Sequence, residues 1–165
     1  IVTTSTSGSI GVTTNLITGI STSLVSVNDL VDTQHFIAGS RVSSIGAGEV
    51  VVDRDSTNTA SASSQNVKFL GLTTAYTSST SVKSILIGGT FANNTGNSVN
   101  LTVEVFDNST STTAALASDI PVPAGSSFVI SDAGKTVLEG DDAIRVYCDV
   151  ANAIDVNLSI LTGVN

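Results

Sequence analysis

The chain has 165 residues, a formal net charge of −8 with only six Lys and Arg, and a charged fraction of 12%. That fraction is about half the roughly 25% of an ordinary globular domain. There is no basic patch to neutralise phosphates, so nucleic acid and an anionic membrane surface are not expected partners. A compact chain of this length buries roughly 70% of its unfolded surface and needs no metal or disulfide staple. Its single cysteine, Cys148, allows no disulfide within the chain.

Ser, Thr, Val, Ile, Gly, Ala and Asn dominate, and helix formers are scarce. β-Branched residues fit a pleated, half-buried surface, so the expected fold class is all-β. In chain order, residues 1–15 are polar and Ser/Thr/Gly-rich. They read as an extended N-terminal arm, able to lie on a neighbouring subunit, or as a weak edge strand. The start, Ile1-Val2-Thr3-Thr4-Ser5, lacks the charged and apolar regions of a signal peptide. The chain holds no Met and begins with Ile, so the expectation is that an initiator residue or a longer leader has been removed, or that the sequence begins within a longer chain.

Residues 16–71 read as a small β-module, a short-stranded barrel or sandwich. Its strands are expected at Leu16–Ile20, Ser26–Val31, within Ile37–Ile45 after a turn at Ala38-Gly39, Glu49–Asp53 and Asn66–Leu70, with Gly46-Ala47-Gly48 as a turn. Residues 72–80 are polar and without periodicity, and read as a linker. Residues 81–165 alternate more clearly. Val99, Leu101, Val103 and Val105 face one way; so do Ile144, Val146 and Cys148, and Val156, Leu158 and Ile160. Such period-two runs mark antiparallel strands with one buried face. Ile120–Gly125, with Pro121 and Pro123, reads as a stiff entry to a strand ending at Phe128-Val129-Ile130, and Leu138–Asp142 as a polar turn. About seven strands in ~85 residues suit an antiparallel β-sandwich.

Two stretches carry a resemblance. Ile17–Ser23, Val27–Val31 and Ile37–Val52 resemble a small β-module of phage tail, fibre and neck-associated proteins. There an apolar turn precedes a strand ending in Ile-Gly-x-Gly, here Ile45-Gly46-Ala47-Gly48. The turn is Ile37-Ala38-Gly39, without the proline usual in that family, and Asn58–Ser63 looks like its polar loop. Pro121–Ser127 and Thr136–Val146 resemble a second phage-structural β-sandwich. The tandem resemblance covers roughly residues 16–161 and implies a tailed-bacteriophage virion component, a capsid decoration or neck/tail protein. It supplies no catalytic residues. What it implies for partners is copies of the same chain, as trimers or hexamers, and other virion proteins. Edge-strand pairing and the apolar faces of the second module would hold them, with the N-terminal arm as tether. Deleting residues 1–15 would then reduce incorporation into particles without unfolding the protein.

Tested for chemistry, the sequence points away from an enzyme: no catalytic, cofactor or metal site is expected. His35 is the lone histidine and stands in no nucleophile motif. Zinc needs several Cys or His ligands, and the chain has one of each. Asp53-Arg54-Asp55 and Glu139-Gly140-Asp141-Asp142 gather carboxylates in turns, but neither fits an EF-hand loop. With no Trp, a glycosidase cleft lacks its aromatic platforms. Gly46-Ala47-Gly48 and Gly88-Gly89 read as turns or bulges, since no Lys-Ser/Thr and no helix follows. Cys148 reads as a small core residue. Asn-x-Ser/Thr triplets at Asn93, Asn100, Asn108 and Asn157 arise by chance in so Ser/Thr-rich a chain. Two rival readings remain: a receptor- or glycan-binding adhesin with its site in the loops 53–64 or 93–97, and a surface filament subunit that donates its N-terminal strand.

Overall fold

The computed structural model describes residues 2–131 and 135–164; Ile1, the first residue of the expected arm, lies outside them. The chain is all-β, as its composition predicts, and divides into two compact units, Ile1–Leu72 and Thr73–Asn165.

The first unit is a short-stranded antiparallel barrel. Its strands are β1 (Val2–Ile10), β2 (Leu16–Thr18), β3 (Leu30–Asp32), β4 (Val42–Gly46), β5 (Glu49–Val52) and β6 (Ala62–Leu70), in the spatial order β3-β6-β1-β2-β5-β4. The outer strands of that order meet. Leu30 bridges Arg41, Val31 N–H donates to Ser40 C=O at 2.8 Å, and Val42 N–H donates to Asp29 C=O at 3.0 Å. Alternation then sorts the side chains. Val50 and Val52 on β5, and Val67 and Phe69 on β6, point inward with Ile10, Ile17, Val42 and Phe36 to form the core. Outside, Lys68 faces Asp32 across the β3–β6 ladder, 3.9 Å apart. The Ala47-Gly48 turn joins β4 to β5, with Gly48 at φ +75° where a side chain would be strained.

Residues 2–10 are therefore a strand rather than an arm, and an inner strand rather than a weak edge one. β1 pairs with β6 from Val2↔Leu70 to Ile10↔Ala62 and with β2 through Ser9↔Thr18 and Ile10↔Ile17. Threonine is polar but β-branched, and a run rich in it suits a strand as well as it suits a solvated tail. The expectation that residues 1–15 can be removed without unfolding falls with this placement.

The second unit is an antiparallel sandwich. One sheet runs β10 (Thr112–Val122), β9 (Val99–Asp107), β13 (Ala143–Cys148), β7 (Thr73–Thr77). In the other, β8 (Lys83–Asn93) is central. It pairs with β14 (Ile154–Val164) on one edge and with β11 (Ser127–Ile130) and β12 (Thr136–Leu138) in succession on the other. Leu101, Val103 and Ile144 from the first sheet meet Leu86, Phe91, Ile130 and Leu138 from the second in a common core.

Two local expectations change, and the bulge expected at Gly88-Gly89 is met. The stretch read as a linker, 72–80, supplies β7, which pairs with β13 from Ala143↔Thr77 to Val146↔Thr73. A register shift leaves Ala75 as an extra residue, so Ala75 and Tyr76, neighbours in sequence, both pack on the core and the period-two signal is lost. Ser78, buried, closes the turn that follows by donating to Val82 C=O at 2.8 Å. Ile120-Pro121-Val122 is not an entry to the next strand but the end of β10. Proline is tolerated there because β10 is an edge strand. Gly88-Gly89 lies inside β8, beside a bulge at Ile87, where a Cβ on Gly88 would come within 2.9 Å of Ile130 C=O.

Candidate functional site

The polar residues that the sequence singles out are engaged in holding turns and loops. His35 is buried, with Nδ1 2.7 Å from Asn58 Oδ1 and Nε2 2.9 Å from Gln65 Oε1. Gln65 is itself oriented by a 2.7 Å bond from its Nε2 to Ser63 C=O. The imidazole thus ties the loop after β3 to the loop before β6 and to β6 itself. Among the described residues neither a hydroxyl nor a thiol hydrogen-bonds its ring nitrogens.

The two carboxylate clusters behave likewise. Asp53 accepts from Arg41 N–H at 2.8 Å. Buried Asp142 accepts from Glu139 N–H at 2.8 Å and Asn108 N–H at 3.0 Å, so it braces two turns at once. Glu139 pairs with Lys83 at 2.9 Å, and Asp141 accepts from the Thr80 hydroxyl at 3.0 Å. Among the described residues no three His, Cys, Asp or Glu side chains converge to hold a metal ion. Asp107, at the β9–β10 turn, accepts from the Ser109 hydroxyl and from the Thr110 N–H; the Ser109 hydroxyl foremost holds its carboxyl below the usual range.

Cys148 faces inward on β13 and packs against the core. Burial first, and then the neighbouring Asp149 carboxylate, pushes its thiol up, which keeps the nucleophilic thiolate scarce.

The two loops considered for ligand binding are also pinned. Ser56 donates to Gly11 C=O at 2.8 Å, and its backbone N–H donates to Thr14 C=O at 2.8 Å. Buried Asn93 donates to Asn97 C=O at 2.7 Å and Val122 C=O at 2.9 Å, while its oxygen accepts from the Thr95 N–H and hydroxyl.

Asp29 is buried in the turn before β3, where it accepts from Ser26 N–H at 2.8 Å. Burial raises its carboxyl above the ordinary value, against the lowering effect of the Ser26 bond. The folded chain therefore binds more protons than the unfolded one in the window from the ordinary value of 3.8 upward to the raised one. Asp29's contribution to stability is full below that window and is lost as pH rises through it. Asp29→Asn keeps an oxygen for Ser26 and removes the buried charge. Its melting temperature at pH 7 is expected to exceed the wild type's, with the difference vanishing below pH 3.8. A lower melting temperature at pH 7 would show that the turn needs the ionised group.

Two surface features remain. In the barrel, Ser9, Thr14, Thr18, Ser61 and Ser63 line an open, hydroxyl-rich hollow of about 490 Å³. In the sandwich, an open apolar slot of about 520 Å³ lies between edge strands β7 and β14. Its lining includes Ala75 and Tyr76 from β7 and Val156, Leu158 and Ile160 from β14. The alternation of the sequence makes these three β14 residues a buried face. They do line the slot together, yet Val156 is 38% exposed and Leu158 and Ile160 are only half-buried. We take this slot and its two strand edges, which pair with no further strand among the described residues, as the candidate functional site. Its chemistry is that of an extended apolar segment: aliphatic contact plus backbone hydrogen bonding. No protein-family model, no curated protein and no solved structure matches the chain.

Proposed function

We propose that the chain is a non-catalytic structural subunit of an extracellular assembly. The resemblance of its motifs makes this a tailed-phage virion, with the chain as a decoration or neck/tail component contacting its own copies and other virion proteins. The observation that carries the reading is the slot between β7 and β14, where inward-facing aliphatics stand beside open backbone edges. Edges of that kind are a template for pairing with another chain. The hydrogen bonds of His35, Asp53, Asn93 and Asp142 support it from the other side, since these groups serve the fold.

A glycan-binding adhesin is the alternative, with the hydroxyl-rich hollow of the barrel as its site. A filament subunit donating its N-terminal strand fits less well, because donation would take β1 out of its own barrel.

Immunogold electron microscopy of particles from the source, with antibody to this chain, tests the reading. Label at one defined place on a phage particle is the expected result. Label on cell surfaces or filaments instead would overturn it, and reproducible hits on a glycan array would promote the adhesin.

A further inference from the structure

The outer strands of the sandwich are not equally guarded. β10 has register shifts after Ala115 and after Ala117, a left-handed Asp119 at φ 51°, and Pro121. Each of these spoils an edge for pairing. β11 and β12 are four and three residues long. β7 has five residues and the bulge at Ala75. β14 is different. It runs eleven residues and pairs with β8 along one edge from Ile154 to Val164. From Ile154 to Thr162 it contributes no extra residue to that ladder; its own bulge comes only at Gly163. In those nine residues there is no proline and one charge, Asp155.

We propose that β14 pairs with β14 of a second copy, antiparallel about a two-fold axis through Leu158. The sequence of the strand is self-complementary in that register. Val156 comes opposite Ile160, and Leu158 opposite its own counterpart, so the inward row stays aliphatic and extends beneath the slot. On the outward row Asn157 comes opposite Ser159, and Asp155 opposite Leu161. In a chain of net charge −8 this matters, because no acidic residue of one strand meets another of its mate. Leu161, 51% exposed, gains a neighbour across the axis. A contact between identical strand edges is isologous and closes on itself, which limits the assembly to the pair at this site. The proposal rests on the reading of the chain as a contact-forming subunit and names the partner of its slot.

The test is the mass of the purified protein by light scattering and sedimentation, for wild type and two variants. Asn157 and Ser159 are both exposed on the outer face, so substitutions there spare the core. In N157K/S159K the lysine introduced at each of these positions faces the lysine introduced at the other position of the mate. Like charges directly opposite weaken a ladder, and two such contacts should raise the dissociation constant roughly tenfold. In N157D/S159K each introduced aspartate faces an introduced lysine, and the association should recover. A wild-type dimer, or an even-numbered oligomer, that loses mass in the first variant and regains it in the second is the expected pattern. A monomeric wild type, or an oligomer indifferent to N157K/S159K, would overturn the pairing. Loss in both variants would overturn the register. None of these outcomes depends on where antibody labels a particle, so this proposal and the virion reading can fail separately.

Discussion

A chain lacking residues 1–15 is expected to lose the fold of its first unit. β1 is hydrogen-bonded on both edges, to β6 from Val2 to Ile10 and to β2 at Ser9 and Ile10, and Ile10 is 1% exposed in the core. Each internal backbone hydrogen bond contributes on the order of 1 kcal/mol, and the facing groups of β2 and β6 would be left unpaired. Summed over the ladder, the loss is comparable with the whole stability of a small domain, about 5–15 kcal/mol. Limited proteolysis read by mass spectrometry checks it. Residues 16–72 should be cut rapidly in the deletion and resist in the full chain. Equal resistance would mean that β1 is dispensable and the barrel topology wrong.

Phe91→Ala should do comparable damage to the second unit. Phe91 is fully buried on the central strand β8, opposite Phe128 on one side and Val156 on the other, with the two rings 5.9 Å apart. Truncating a buried phenylalanine costs about 3–5 kcal/mol, the lost transfer energy plus a cavity that the neighbours only partly fill. For a domain of this size each kcal/mol lowers the melting temperature by roughly 4–8 °C. The expected drop, from the same scaling, is thus more than about 12 °C in the sandwich transition, followed by circular dichroism. Val129→Ala, on the neighbouring strand but 55% exposed, should stay within about 1 kcal/mol of wild type. If the two variants melted alike, Phe91 would not be a core residue.

The strands that can be read from the sequence are those whose alternation runs unbroken. β9 and β13 pair residue for residue from Ala143↔Phe106 to Cys148↔Leu101, and their inward positions are legible at Leu101, Val103, Ile144 and Val146. Three of the unread strands share a physical cause. β7, β8 and β10 each hold, within their own run, the extra residue of a register shift. A bulge moves the following residues to the other face, so two neighbours such as Ala75 and Tyr76 both turn inward and the period of two disappears. The candidate site is half legible. The aliphatic row Val156, Leu158, Ile160 is visible as one face of a strand. That this face stands partly open is hidden, because it depends on what the other sheet places across from it, and β7, which lines the slot with it, reads as a linker.

The closure of the barrel also sets the order in which it can be made. Val2 finds its partner in Leu70, and Ile10 in Ala62, so the first strand of this unit to be synthesised waits for the last. Long-range pairing of this kind pays its loop entropy before any contact rewards it, and folding slows accordingly. During that wait an apolar strand would be exposed to aggregation. The sequence Thr3-Thr4-Ser5-Thr6-Ser7 carries β-branched residues for the eventual ladder and hydroxyls for water in the interval, and the polarity that disguises β1 as an arm is what lets it wait in solution.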